Sequence, residues 1–343
     1  MNILLVRPDG IGDEILCLPV ASALRLLVPG AKISFLSSDY AAPVLEHHPD
    51  VDEVRTVTGR ERFAELMALF RRGVDAAIFL KPFRRLMLAA FVARVPKRVA
   101  TGYRWYSVLA NKRVYEHRSD FSKHESEYNL GLLRGLGLDP GPARPPFLVL
   151  TEEERQWAQG RTSGLPARRV LVHPGGLSSR RWRVEHYRTL VHRLISEGLG
   201  VILTGSAAEG EYFRDAAAKT DPKDQMLSSG ILDIMGALTV RQLMAVIGTS
   251  HTVVSGSTGP AHMAAALGVP TVSLFDPRRN HLPVRWQPLG RGLLFRPDVP
   301  TCPKCIYVAC PYWDCLDRIG VEDVAAGVRR VLDQVEGMTV LRV

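Results

Sequence analysis

Apolar residues arrive along this chain in two rhythms. Short unbroken runs, "NILLV" at 2–6, "KISFLSS" at 32–38 and "DAAIFLK" at 75–81, alternate with stretches whose apolar positions recur at helical spacing, as from Asp13 to Leu27. Unbroken runs predict strands buried on both faces, and amphipathic stretches predict the helices that cover them; together they predict parallel α/β sheets. The alternation stops in "LDPGPARPPFLVLTEEERQW", residues 138–157, because proline continues neither a helix nor a central strand. It restarts at a capping-box pair, Thr151 with Glu154, and "RVLVHPGG", "VILTGS", "TVVSGS" and "TVSLFDP" then read as strands that end in turns. With 343 residues, about right for two cores of roughly 150 each, the pattern predicts one α/β domain over 1–150 and a second over 151–320.

Composition narrows this picture. Apolar residues make up 46 % of the chain, and no low-complexity tract interrupts it, so both domains are expected to fold fully. No apolar run approaches the roughly 20 residues of a membrane span, and "MNILLVRPDG" lacks a secretory leader, which predicts a cytoplasmic protein. The net charge of +9 is uneven: Arg55 to Lys123 holds sixteen Lys or Arg against five Asp or Glu. That band predicts a phosphate-bearing partner, although a plain solvated face has the same composition. No helix-turn-helix, zinc-finger or RNA-binding signature accompanies it, so nucleic acid is not expected.

Three stretches carry candidate chemistry. In "VVSGSTGPAHMAAALGVP", residues 253–270, Ser257 or Thr258 can cap a helix whose first turn holds Gly259, Pro260 and His262. The N–H groups and dipole of such a helix favour a diphosphate; a capped core helix with a buried histidine is the structural alternative. In "HPGGLSSRRW", residues 173–182, Gly175 and Gly176 allow close backbone approach, Ser178 and Ser179 offer hydroxyls, and Arg180 and Arg181 offer cations. Glu209, just after "VILTGS", is placed to accept from a ribose or simply to face a helix start. In "RPDGIGDEI", Gly10 and Gly12 permit a tight turn, yet Ile15 stands where a dinucleotide fingerprint has its third glycine, and no P-loop lysine follows. This disfavours a nicotinamide oxidoreductase. Asp13 is then either a general base or a partner of the helix dipole. Cys302, Cys305, Cys310 and Cys315 crowd into fourteen residues and match the thiolates of a structural zinc site, or are free thiols or disulfides.

Taken in order, "ILLVRPDGIGDEILCLPVASALR", "KHESEYNLGLLRGLG", "LVHPGGLSSRRW", "VILTGSAAE", "VVSGSTGPAHMAAALGVPTVSLFDP" and the late cysteines resemble glycosyltransferase family 9, the heptosyltransferases of the lipopolysaccharide core. The resemblance implies a GT-B fold of two facing Rossmann-like domains with parallel sheets, the first binding acceptor and the second the nucleotide sugar, and a C-terminal helix over 321–343 returning to the first. It implies an inverting transfer from ADP-heptose or a similar donor to an anionic glycolipid, with Asp13 as base and no required cofactor, at the inner face of the inner membrane. Gly12, Gly175, Gly176, Ser178, Arg180, Glu209, Ser257, Thr258, Gly259, Pro260 and His262 fall at donor-binding positions. Arg60, Arg62, Arg84 and Arg85 are implied to face the acceptor. Ser257 departs from the family, whose best-known members carry aspartate there, so donor identity stays open. A nucleotide-sugar epimerase or hydrolase on the same fold, and a non-catalytic nucleotide-binding regulator, remain the alternatives.

Overall fold

A computed structural model of the chain describes residues 1–176, 181–220, 230–306, 309–333 and 338–342. It divides into two units, Met1–Val149 and Leu150–Val343. In the first, β1 (Asn2–Val6), β2 (Lys32–Ser38), β3 (Glu53–Val57), β4 (Ala76–Phe79), β5 (Lys97–Thr101) and β6 (Lys112–Val114) form one sheet in the order β3-β2-β1-β4-β5-β6, with every pairing parallel. The central strands are apolar on both faces, as a sheet covered by helices on each side requires. Helices α3 (Phe63–Arg71) and α4 (Arg84–Val92) pack side by side, sharing a core of Leu4, Val6, Leu66, Phe70 and Met87. The helix expected over Asp13 to Leu27 is two helices, α1 (Ile11–Ile15) and α2 (Leu18–Leu27). Pro19 in the opening turn of α2 accounts for the break, because it can start a helix but not continue one. Helix α5 (Glu125–Gly131) packs beside α2.

In the second unit, α6 (Glu152–Thr162) opens on the expected capping box: Thr151 N–H donates to Glu154 at 2.8 Å, and Glu154 N–H donates to the Thr151 hydroxyl at 3.2 Å. Then follow β7 (Arg169–His173), α7 (Val184–Ser196), β8 (Gly200–Leu203), α8 (Ala207–Thr220), β9 (Ile231–Asp233), α9 (Val240–Gly248), β10 (Thr252–Gly256), α10 (Gly259–Ala266), β11 (Thr271–Leu274), α11 (Pro283–Trp286), β12 (Gly292–Arg296), α12 (Val321–Leu332) and β13 (Met338–Arg342). The strands align as β13-β12-β11-β10-β7-β8-β9, again all parallel.

The C-terminal segment, expected as one helix over 321–343, contains helix α12 and strand β13. Helix α12 packs on α7 and on β10 to β12, because its stripe of Val324, Ala325, Val328 and Val331 is buried in the core of the second unit. Strand β13 then pairs with β12 at the sheet edge. Among the described residues, no helix is long and apolar enough to cross a membrane.

Both sheets follow the doubly wound order, in which the chain begins in the middle, winds to one edge, then returns and winds to the other. The crevices lie at the carboxyl ends of the strands that flank the reversal. These are β1 and β4 in the first unit and β7 and β10 in the second.

Candidate functional site

The reversal point of the first unit holds a knot of charge. Arg7 follows β1 directly and is 2 % exposed. Its Nη2 pairs with Asp13, its Nη1 donates to Glu125 Oε1 at 3.0 Å, and its Nε lies 3.6 Å from Asp9. Glu125 opens α5, is 1 % exposed, and takes a second guanidinium on the same oxygen from Arg118 at 2.6 Å. Arg118 also donates to Asn129 at 3.0 Å, and Asn129 donates to the carbonyl of Leu16 at 3.2 Å behind α1. Lys81, just beyond β4, pairs with Asp9. Asp13 is thus the partly open end of a braced array, with 27 % of its side chain exposed. Burial pushes its carboxyl above the ordinary range against the pull of Arg7, and the negative neighbours Asp9 and Glu125 push the same way. A carboxylate so placed is a stronger base than one in water and is already oriented.

Asp13 and its neighbour Glu14 are split by the fold. Glu14 turns inward, fully buried, and accepts from the Ser37 hydroxyl and, at 3.4 Å, from the Ser38 N–H. Burial raises its pKa to about 8, so it holds a proton through much of the neutral range. Gly12 lies within α1 of this unit.

At the reversal point of the second unit, β7 ends in the turn His173–Gly176. The Gly176 N–H donates to Glu209 Oε1 at 2.9 Å, while Ser206 gives Oε2 its N–H at 2.8 Å and its hydroxyl at 2.9 Å. Burial alone would raise the Glu209 carboxyl, but these donors and His173 hold it below its usual value. Glycine suits both positions: a Cβ on Gly175 would sit 2.4 Å from the Glu209 carboxylate and push it out of place, and Gly176 has φ of 149°. Arg181 folds over the turn, its Nε donating to the Gly176 carbonyl at 2.9 Å and its guanidinium lying 3.6 Å from Glu209. His173 faces the Thr204 hydroxyl at 3.1 Å, and burial lowers its pKa to about 4, so it is neutral near pH 7. Ser178 and Arg180 lie outside the described residues.

Strand β10 ends at Gly256, and Ser257 and Thr258 lead into α10. Thr258 occupies the N-cap position, but its hydroxyl donates back to the Gly256 carbonyl at 3.4 Å and does not cap the helix. Thr258 makes no side-chain capping hydrogen bond to this helix start, the anion-favouring end of a dipole. Pro260 and His262 are buried within its first turn. Arg60 and Arg62 lie in the loop after β3, where Arg62 pairs with Glu65 at 2.7 Å. Arg84 and Arg85 begin α4, and Arg85 reaches the Glu61 carbonyl at 2.8 Å, which joins the two arginine pairs.

The cysteines form no cage. Among the described residues no group of His, Cys, Asp or Glu is arranged to hold a metal ion. All four line one small cavity with Arg278, but Cys315 is packed into the hydrophobic core, and burial and the acidic neighbour Asp276 hold the Cys302 thiol protonated. As placed, the described cysteines do not bring three or more thiolates together as a metal group.

Sequence reading missed Arg7, Arg118, Glu125 and Lys81. The available signal was charge at positions bounding apolar segments, Arg7 after β1 and Glu125 ahead of "YNLGLL".

Two doubly wound parallel sheets, each with polar turns at its reversal point, make the GT-B architecture of glycosyltransferases. Residues 63–294 match the model of glycosyltransferase family 9 (heptosyltransferase), and the chain belongs to that family. It is 26 % identical over 308 residues to a putative glycosyltransferase of Haemophilus influenzae, covering 84 % of this chain and 86 % of that protein. It is also 26 % identical over 295 residues to lipopolysaccharide heptosyltransferase 2 of Escherichia coli K12, covering 81 % and 83 %. The solved structure of the Escherichia coli ADP-heptose lipopolysaccharide heptosyltransferase II shares the fold, with a TM-score of 0.79 and 23 % identity over 97 % of this chain and 99 % of that one.

Proposed function

We propose that this glycosyltransferase moves heptose, with inversion, from an ADP-activated donor to an anionic glycolipid of the lipopolysaccharide core, with Asp13 as general base. One observation carries the reading: Asp13 is a partly open carboxyl of raised basicity, braced by buried Arg7 and Glu125 at the reversal point of its sheet. The acceptor hydroxyl gives its proton to Asp13 as its oxygen bonds to the anomeric carbon. The bond from that carbon to the diphosphate breaks, and ADP leaves with the electron pair.

Negative charge grows on the departing diphosphate, and the uncapped start of α10 and the glycine turn supply positive dipole there. Gly175, Gly176, Ser178, Arg180, Thr258, Gly259 and His262 are the proposed diphosphate contacts, and Glu209 the ribose contact. Ser257 offers the sugar a short neutral hydroxyl. The relatives named for lipopolysaccharide heptosyl transfer and ADP-heptose support the substrate class, and the basic band of the first unit suits an anionic acceptor at the inner membrane.

The test is Asp13→Asn. Transfer from ADP-heptose should fall by about 10²- to 10⁴-fold with donor affinity unchanged. The wild-type rate should fall as pH drops through a limb above the free-aspartate value of about 3.9. Undiminished transfer by the variant excludes Asp13 as base; turnover of donor without acceptor points to an epimerase or hydrolase instead.

A further inference from the structure

Residues 76–115 contain nine Lys or Arg and no Asp or Glu. Within them, the outer face of α4 exposes Leu88, Phe91 and Val92 at 39, 47 and 42 %. These positions share one helical face with Arg84 and Arg85. The 3-10 segment Trp105–Leu109 runs beside α4 and exposes Trp105 at 77 % and Val108 at 71 %. Arg98 ties the two elements, its guanidinium 5.3 Å over the Phe91 ring and its Nε donating to the Leu109 carbonyl at 2.8 Å. Tyr106 adds a hydrogen bond from its hydroxyl to the Pro82 carbonyl at 2.9 Å.

Single exposed apolar residues need no explanation, but five on two adjoining elements form a patch, and this one is surrounded by charge of one sign. We propose that this face docks the first unit on the surface of an anionic lipid bilayer. Phe91, Val92, Trp105 and Val108 enter the headgroup region while Arg94, Lys97 and Arg104 meet lipid phosphates. An acidic protein partner would match the charge, but apolar tips interleaved with mobile cations, with tryptophan foremost, suit the graded polarity of a headgroup layer better.

Trp105 lies beyond the carboxyl end of β5 and Asp13 beyond that of β1, so both occupy one edge of one sheet. Arg94 and Lys97 lie at the opposite, amino end of β5, so the patch runs along α4 from one end of the sheet to the other. The docking stands independently of the proposed catalytic role.

The full chain is sedimented with vesicles of phosphatidylcholine alone and of phosphatidylcholine mixed with phosphatidylglycerol. Binding to the mixed vesicles should be at least about tenfold tighter and should weaken with salt. Phe91→Glu with Trp105→Glu should lower it about tenfold at unchanged melting temperature, and the milder Trp105→Ser guards against misfolding. The blue shift of tryptophan emission on vesicles should vanish in Trp105→Phe. Equal binding to both vesicle types, undiminished binding by the double variant, or a patch variant that instead splits a dimer into monomers overturns the proposal. If Asp13→Asn retains transfer while vesicle binding behaves as described, only the catalytic reading falls; if vesicles are ignored and Asp13→Asn is inactive, only the docking does.

Discussion

Glu125→Gln exchanges a charge for an amide where the carboxylate is 1 % exposed and receives Arg7 at 3.0 Å and Arg118 at 2.6 Å on one oxygen. Neither guanidinium can shed its charge, and the Arg7 side chain is buried away from water. Breaking a buried pair by removing one partner costs about 3–5 kcal/mol; the amide carbonyl still accepts, so about 3 kcal/mol is expected. For a unit of this size that is a loss of roughly 6–12 °C in melting temperature. Asp13→Asn differs, because the Asp13 side chain is 27 % exposed and Arg7 keeps Glu125 and Asp9; about 1–2 kcal/mol is expected. The two variants should therefore separate: Glu125→Gln melts early and loses rate through a misplaced Arg7, while Asp13→Asn stays folded and loses transfer. Differential scanning fluorimetry beside a transfer assay reads both. A Glu125→Gln protein that melts within about 2 °C of wild type, on the same scale, refutes the view that Glu125 anchors the array.

Glu14 offers a prediction in pH. Its folded pKa of about 8 lies above the ordinary value of 4.5, so the folded state keeps a proton that the unfolded state releases between these values. Its stabilisation is complete below 4.5 and declines as pH rises toward 8, by about 1.4 kcal/mol per unit. Glu14→Gln should flatten that slope in urea titrations at pH 5.5 and 7.5, taken as roughly the two ends of the window; an unchanged slope means Glu14 is ionised when folded. Gly175→Ala brings a methyl group against the Glu209 carboxylate, 2.4 Å away. Isothermal titration with ADP should show affinity reduced by about tenfold or more, roughly 1.4 kcal/mol; unchanged affinity would show that the glycine turn does not hold the nucleotide.

Elements were legible where burial on both faces left an unbroken apolar run, as in β1, β7 and β10. Strands β3, β5 and β6, "EVRTV", "KRVAT" and "KRV", went unread because they lie toward a sheet edge and carry polar side chains to solvent. The break at Pro19 was written in the chain, yet helical spacing on either side hid it. The cysteine spacing suggested metal, but spacing is silent on whether a thiol faces its neighbours or, like Cys315, the core.

By itself the sequence determined two α/β units, their boundary in a proline-rich stretch, and the glycine and hydroxyl turns that end their strands, since each depends on residues within a few positions of one another. Only the tertiary structure decided what those turns do with their polar groups. Arg7 and Glu125 are 118 residues apart and meet because β1 and the start of α5 converge at one sheet edge. Asp13 and Glu14, adjacent in the chain, are sent to different fates because successive positions on a helix point in different directions: one to a partly open ion array, the other to a buried place beside Ser37 that raises its pKa.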